Sequence, residues 1–313
     1  MLDLNRWRAG SGQPLINQSI LSSIEVEVPP PAVQTSVGCF LAQIDDRIDL
    51  LRQTNATLES IAQALFKSWF IDFDPVRAKA EGREPEGMGA ATAALFPAEF
   101  EESALWLIPQ GWSAGTLADF SALNAASWTT RRAPAEVAYV DLAGVKSNVF
   151  DPPQRYFFAE APSRARRELK AGDTLVGTVR PGNRSFGFIA EAEAGLTGST
   201  GFAVLSPTSP SAAAFVYLGA TRDENIDRLS ALADGGAYPA VRPELVHSTT
   251  CVLPPKPVLE AFDAIASPLL LSVAANTKRA RSLAELRDSL LPRLISGKLC
   301  LPEAQAQLEE VSV

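Results

Sequence analysis

The chain has 313 residues, 46% of them hydrophobic and 20% charged, with a formal net charge of −8; this is typical of a globular protein and excludes a uniformly basic surface. Three widely spaced cysteines and one histidine fit neither a disulfide framework nor a zinc site, so we expect no metal. No run reaches the ~20 apolar residues that cross a bilayer and residues 1–12 do not resemble a signal peptide, so we expect a cytoplasmic protein without membrane contact.

Residues 1–31 are predicted to be the tail of an incomplete domain. They contain a Gly/Pro turn cluster at 10–14 and an alternating apolar pattern at 24–28, which predicts a short strand. Three consecutive prolines at 29–31 end this strand and open the helix that follows.

A long helix is predicted over 33–69, within a segment from 32 to 75. Its apolar residues recur in alternating steps of four and three with one gap at Asn55, which is a heptad seam and requires a partner helix. The seam consists of Val37, Leu41, Ile44, Ile48, Leu51, Leu58, Ala62, Leu65 and Trp69.

The pattern changes after this helix. Residues 76–95 are rich in Gly, Glu and Ala and are predicted to form an exposed linker. Short apolar segments separated by Gly and Pro then predict one α+β domain over 96–255, with a helix at 224–233. The predicted strands are 137–142, 156–158, 174–180, 186–189, 202–205 and 215–218.

The sequence also repeats itself at an offset of 225 positions. The turn cluster at 10–14 returns at 235–239, and the first seam returns as a second seam helix within 256–299, followed by an acidic tail over 300–313. Pro268 predicts a break or kink in the second helix unless Ser267 caps a new helix there, and Arg287 occupies a seam position. The matched positions are Val37 with Phe262, Ile44 with Leu269, Leu58 with Leu283, Ile61 with Leu286 and Leu65 with Leu290.

The two seams are predicted to pair as an antiparallel coiled coil flanking the α+β domain of mixed strands and short helices. One register places Asn55 opposite Asn276, and such a polar pair would fix the register at some cost in stability. The alternative is that each Asn faces solvent where the helices splay. The same register pairs Ile48 with Leu283, Leu51 with Ala280 and Leu58 with Val273.

Candidate chemistry is sparse. The Asp-Pro-Pro-Gln segment at 151–154 invites comparison with an amino-methyltransferase motif, but its fourth residue is not aromatic and no Gly-rich cofactor turn lies nearby. His247 has no neighbouring nucleophile motif. We therefore predict no catalytic residues and no cofactor.

Basic residues are concentrated between 131 and 184. A predicted strand delivers Arg180, Asn183 and Arg184 onto a Gly/Pro loop, and Arg and Asn are the side chains that bind guanine and adenine edges bidentately. Arg131, Arg132 and Arg155 are candidates for phosphate contacts. The alternative is a solvated basic surface.

Three segments together resemble the specificity subunits of Type I restriction-modification systems. Residues 58–76 resemble the central spacer of that family, 286–299 resemble its C-terminal spacer, and 108–112 resemble the entry to a target recognition domain. The resemblance implies a non-catalytic subunit whose two recognition domains each read half of a bipartite double-stranded DNA site. It also implies methylation subunits that dock on the spacers and carry S-adenosylmethionine, and a separate motor and nuclease subunit.

On this resemblance, 32–75 is the central spacer, 96–255 the target recognition domain and 256–299 the C-terminal spacer. The chain departs from the family pattern because only the tail of a first recognition domain precedes the central spacer. We therefore expect a fragment, a product of gene rearrangement, or a half-subunit that forms a homodimer. The predicted function is to read one half of a DNA target; the alternatives are an assembly scaffold without specific DNA binding and, more remotely, a methyltransferase.

Overall fold

A computed structural model describes residues 17–25, 28–103, 107–236 and 238–312. The chain divides into two units, and each long helix contributes residues to both. The helical unit comprises Met1–Leu51 and Arg279–Val313, and the domain unit comprises Arg52–Lys278. The helices are α1 (Gln18–Ser22), α2 (Pro31–Phe70), α3 (Asp74–Ala80), α4 (Ala90–Ala93), α5 (Ala213–Thr221), α6 (Asp223–Leu232), α7 (Pro243–His247), α8 (Lys256–Ile295) and α9 (Leu301–Ser312).

The long helices α2 and α8 have 40 residues each. Their first residues are 31 and 256 and their last residues are 70 and 295, so both limits of α8 repeat those of α2 at the offset of 225. Each helix carries a proline in its first turn, where the missing N–H has no intrahelical partner to lose.

The predicted break at Pro268 is wrong, because α8 continues through it. Ser267 does not cap a new helix; its hydroxyl donates to Asp263 Oδ1 at 2.6 Å, one turn earlier. Proline removes one backbone hydrogen bond from a helix. Burial of Phe262, Ala266 and Leu270 on the same helix offsets this loss and keeps the chain helical on both sides of the proline.

The two long helices run antiparallel and pack through their seams. In the domain unit, Asn276 lies against Asn55, and the ring of Phe262 lies 6.1 Å from that of Phe66, so residue numbers fall along one helix as they rise along the other. In the helical unit, the seam position of Arg287 is accommodated by an ion pair across the helices to Asp45, with an N–O distance of 2.6 Å. The predicted antiparallel coiled coil and the α+β class are confirmed.

The helical unit has its own apolar core. The segment predicted as an acidic tail contains α9, whose Ala304 and Leu308 are buried in this core. The predicted strand at 24–28 is absent at Ile24 and Val28, and residues 26–27 lie outside the described set. The turn cluster at 10–14 also lies outside it. The buried residues of this core are Val37, Phe40, Ile44, Ile48, Leu283, Leu290, Leu294, Leu299, Ala304 and Leu308.

The segment predicted as a linker starts inside a short helix. Helix α2 ends at Phe70, Phe73 adopts a left-handed conformation with φ 57°, and α3 then begins with Pro75 in its first turn. The left-handed Phe73 cannot continue a right-handed helix, so the chain changes direction here instead of extending α2.

Two four-stranded sheets lie within the domain unit. The first has the order β11-β10-β13-β4 and the second β8-β5-β12-β9, with only the β5–β12 pair of these two sheets parallel. Smaller antiparallel pairs join β1 to β2, β3 to β14 and β6 to β7. The strands are β1 (Phe100–Glu102), β2 (Leu107–Pro109), β3 (Ser113–Thr116), β4 (Ser121–Leu123), β5 (Glu136–Val140), β6 (Val145–Lys146), β7 (Val149–Phe150), β8 (Gln154–Phe157), β9 (Ala165–Glu168), β10 (Thr174–Gly177), β11 (Phe186–Phe188), β12 (Leu196–Ser199), β13 (Phe202–Pro207) and β14 (Thr250–Leu253).

Five of the six predicted strands overlap observed strands, and the predicted helix at 224–233 overlaps α6. The sixth prediction, a strand at 215–218, is wrong because these residues belong to α5. Every residue of α5 is buried, so the helix has no polar face to reveal its period. A short continuous apolar run fits a buried strand and a buried helix equally well.

Aromatic side chains fasten this globular part to the helices within the domain unit. The ring of Phe215 on α5 lies 5.3 Å from Phe66 and 4.9 Å from Phe70, both on α2. Trp112 lies 6.1 Å from Phe70. Edge-on and tilted ring pairs stabilise a contact by more than the apolar area that they bury. These pairs therefore fix how the globular part packs on α2.

Helix α8 contains an 18-residue window with a mean hydropathy of 1.6, which by length and composition is apolar enough to cross a membrane. Phe262, Leu270 and Val273 on this helix are buried inside the protein. One third of that window is buried inside the protein, and core helices pass the same compositional test.

Candidate nucleic-acid interface

A tight turn presents three of the predicted DNA-binding residues. The strand predicted over 174–180 ends at Gly177, and residues 178–184, here called the reading loop, follow it. Arg180 and Arg184 adopt left-handed conformations with φ of 48° and 59° on either side of a 3-10 turn, Pro181–Asn183. The backbone N–H of Asn183 donates to Arg180 O at 2.8 Å, and the backbone N–H of Arg184 donates to Pro181 O at 2.9 Å. Left-handed non-glycine residues cost energy and recur at functional sites.

A second segment, residues 238–240, lies against the reading loop. The Arg180 amide donates to Pro239 O at 2.7 Å, and Val179 forms an isolated bridge with Ala240. The Arg180 guanidinium lies 5.1 Å from the ring centroid of Tyr238, whose side chain is 73% exposed. The backbone and the ring together hold Arg180 at the surface in one orientation.

Tyr238 is a candidate residue that the sequence did not single out. The signal available was the Gly/Pro cluster at 235–239, which served only to detect the repeat. An exposed aromatic ring beside an arginine can stack on a base. The contact between Tyr238 and Arg180 could not be predicted from the sequence, because the two residues lie in different segments.

Arg184 is held differently from Arg180. Its Nη2 donates to Asp223 Oδ1 at the start of α6, and its guanidinium lies 5.7 Å from the ring of Phe186. Asn183, by contrast, is exposed. Arg184 therefore tethers the reading loop to α6, whereas Arg180 and Asn183 are presented outward.

The structure does not bring all six predicted DNA-contacting residues onto one element. Arg131 and Arg132 lie exposed in a turn between β4 and β5. Arg155 lies on β8, the edge strand of the second sheet, and its Nη2 binds both Glu193 carboxylate oxygens at 3.0 and 2.7 Å. The reading loop instead connects β10 and β11 of the first sheet.

Asn55 and Asn276 meet in the half-buried seam of the domain unit. Asn276 Nδ2 donates to Asn55 Oδ1 at 2.9 Å. Asn55 Nδ2 donates to Val273 O and to Thr277 Oγ1, both at 3.0 Å. The pair is thus embedded in a small polar network, and neither amide is left to solvent alone.

His247, Cys251 and the segment at 151–154 show contacts typical of structural residues. His247 Nε2 lies 2.8 Å from Ser121 O. Burial raises the pKa of Cys251 to about 12, so its thiol is protonated at neutral pH. The segment at 151–154 links β7 to β8, and the Asp151 amide donates to Gly144 O at 2.7 Å.

The helical unit carries an apolar groove of about 270 Å³. Its lining includes Leu291 and Ile295, which are 40% and 43% exposed. At the offset of 225 these positions correspond to Phe66 and Phe70, which are 2% exposed in the domain unit because Phe215 packs on them. The groove is lined by Val28, Pro29, Gln34, Val37, Gly38, Leu41, Leu291 and Ile295.

The sequence has relatives among characterised proteins. Residues 2–60 match the family model described as Type I restriction modification DNA specificity domain. The specificity subunit of the Type I restriction enzyme HindI from Haemophilus influenzae is 24% identical over 331 residues, covering 91% of this chain and 71% of that protein. The MjaIX specificity subunit from Methanocaldococcus jannaschii is 24% identical over 307 residues, covering 94% of this chain and 65% of that protein.

The fold also has a solved counterpart. The crystal structure of a Type I restriction-modification system S subunit from M. genitalium superimposes with a TM-score of 0.51 at 13% sequence identity, covering 93% of this chain and 68% of that one. Over more than nine-tenths of its length the chain is therefore similar in sequence to specificity subunits of Type I restriction-modification systems, and it shares its fold with a solved S subunit.

Proposed function

We propose that this chain reads one half of a bipartite double-stranded DNA target through the domain at 96–255. The observation that carries the proposal is the reading loop, which presents Arg180 and Asn183 outward on a turn braced by Pro239 and Tyr238. Arginine and asparagine are the residues that read guanine and adenine in the major groove. Arg131, Arg132 and Arg155 are assigned to phosphates, where contacts position the protein without reading sequence.

The proposal assigns the long helices to assembly. Segments 32–75 and 256–299 act as spacers on which methylation subunits dock, and a motor and nuclease subunit joins through that complex. Exposed apolar side chains on the spacers support such docking; among them are Ile61, Ile265 and Leu271, each 45–49% exposed. In this scheme the chain is a non-catalytic cytoplasmic subunit, and S-adenosylmethionine belongs to the methylation subunits.

A duplex-binding measurement tests the reading function. Duplexes selected by the purified chain from a random pool are expected to bind about 100-fold more tightly than scrambled duplexes, because two base contacts contribute ~1–3 kcal/mol each. Affinity for both is expected to fall as salt rises, through release of counterions from the phosphates. An assembly scaffold would bind selected and scrambled duplexes equally, and that result would contradict the reading function.

We further propose that a second copy of this chain covers the apolar groove of the helical unit, giving a homodimer with two recognition domains. The supporting observation is that the matching positions of the domain unit, Phe66 and Phe70, are covered by a globular domain. Exposed apolar surface of this kind marks protein contacts.

Sedimentation of the purified chain tests the homodimer. The wild-type chain is expected to sediment as a dimer at micromolar concentration, and Leu291→Glu as a folded monomer, because the new charge would be buried in the contact. Leu50→Glu places the same charge on an exposed residue outside the groove and should leave the dimer intact. A monomeric wild-type chain, or a dimeric Leu291→Glu variant, would exclude this surface.

A further inference from the structure

The hairpin of β6 and β7 has a strained two-residue tip. Ser147 and Asn148 connect the strands with φ of 43° and 63°, both in the left-handed region. Two such residues match the right-handed twist of a hairpin, and asparagine tolerates the conformation better than most side chains. The tip is thus held in one shape.

This tip is hydrogen-bonded to the end of the reading loop and to strand β11, which follows it. The backbone N–H of Ser147 donates to Arg184 O, and the backbone N–H of Asn148 donates to Phe186 O, each at 2.8 Å. The Phe188 amide donates back to Asn148 Oδ1 at 2.8 Å. Gly187 makes the approach possible, because a Cβ there would lie 2.3 Å from the Phe150 ring.

The same tip contacts the spacer helix α2. Asn148 Nδ2 donates to Glu59 Oε1 at 2.7 Å, and the Asn148 side chain is buried. Burial raises the pKa of Glu59 even though this hydrogen bond favours its ionised form. Glu59 is half-buried, so its carboxylate is partly removed from water and the hydrogen bond from Asn148 compensates for part of that loss.

We infer that Glu59 and Asn148 are positioning residues that set the orientation of the reading loop relative to α2. One amide side chain connects both parts, since its nitrogen binds the helix and its oxygen binds the strand after the loop. A shift of Asn148 would therefore move Phe186 and Phe188, to which it is hydrogen-bonded, and a shift of the whole tip would also move the carbonyl of Arg184. The inference rests on the proposed DNA-reading function and adds the residues that hold the reading loop in register with the spacer.

The experiment compares Glu59→Leu with the conservative Glu59→Gln, which keeps an acceptor for Asn148. Glu59→Gln is expected to melt no lower than the wild-type chain, because it keeps an acceptor for Asn148 and carries no charge. Glu59→Leu is expected to melt lower, because it leaves Asn148 Nδ2 without this acceptor. Glu59→Leu is expected to reduce the ratio of affinities for selected and scrambled duplexes about 10-fold, equivalent to one lost base contact. Glu59→Gln is expected to retain the wild-type ratio.

Amide hydrogen exchange supplies a readout that needs no DNA. In Glu59→Leu the amides of Asn148 and Phe188 are expected to exchange at least ~10-fold faster than in the wild-type chain, while those of β12 stay unchanged. Equal exchange in the two proteins would overturn the inference, whether or not the chain reads DNA. Unchanged exchange together with undiminished duplex selectivity in Glu59→Leu would overturn it on both counts.

Discussion

Replacing Arg180 and Asn183 together with alanine is expected to abolish the discrimination between selected and scrambled duplexes, about a 100-fold loss of affinity for the selected duplex. Each bidentate contact to a base edge contributes ~1–3 kcal/mol, so two lost contacts account for this factor. Affinity for scrambled duplexes is expected to change little, because neither residue is assigned to a phosphate. Fluorescence anisotropy with both duplexes at fixed salt measures the two affinities.

The controls for this variant separate base reading from charge. Arg131→Ala with Arg132→Ala is expected to weaken binding to both duplexes equally and to reduce the slope of log affinity against log salt by about one per phosphate contact. Arg184→Ala removes the tether to Asp223, so its effect should be shared by Asp223→Asn. If replacing Arg180, Asn183 and Arg184 together leaves selective binding intact, the reading loop is wrongly assigned.

Asn55→Leu is expected to lower the free energy of unfolding by ~1–3 kcal/mol, which is the cost of leaving a partner amide unsatisfied in a half-buried seam. The change removes the acceptor of Asn276 and two hydrogen bonds that Asn55 donates to Val273 and Thr277. The double variant with Asn276→Leu is expected to recover this loss, because both polar partners are then replaced by apolar side chains that fit a heptad seam.

Urea denaturation of the four proteins of this double-mutant cycle gives the coupling energy between the two asparagines. Gln53→Leu is the matched control, since Gln53 is exposed on the same helix. A neutral Asn55→Leu would show that the pair contributes nothing to the seam. Recovery in the double variant would support the proposed role of the pair, which is to fix the register and not to add stability.

The long helices were the most predictable part of the fold. Their seam positions follow a local period, and the same period recurs 225 residues later with the same helix limits. Pro268 misled the prediction because its local cost is real, but the packing of Phe262 and Leu270 outweighs it. The helix α5 was mistaken for a strand because burial on all sides erased its period.

The candidate site was predictable in residue type and much less in arrangement. The strand, the Gly/Pro turn and the basic side chains of the reading loop follow from adjacent residues. Which side chain of the loop is tethered and which is exposed does not follow from adjacent residues. Arg184 contacts Asp223, 39 positions away, and Arg180 contacts Tyr238 in a different segment. Arg155 lies on another sheet, paired with Glu193.

The sequence by itself determined the seam helices, their repeat, the α+β class and the residue types available to contact DNA, because each of these depends on periodicity or on neighbouring residues. Only the tertiary structure decided which side chains are presented outward, which are tethered, and that Asn148 links Glu59 to the strand after the reading loop. Glu59 and Asn148 are 89 positions apart. Contacts over such separations form only when the core closes, and no local pattern records them.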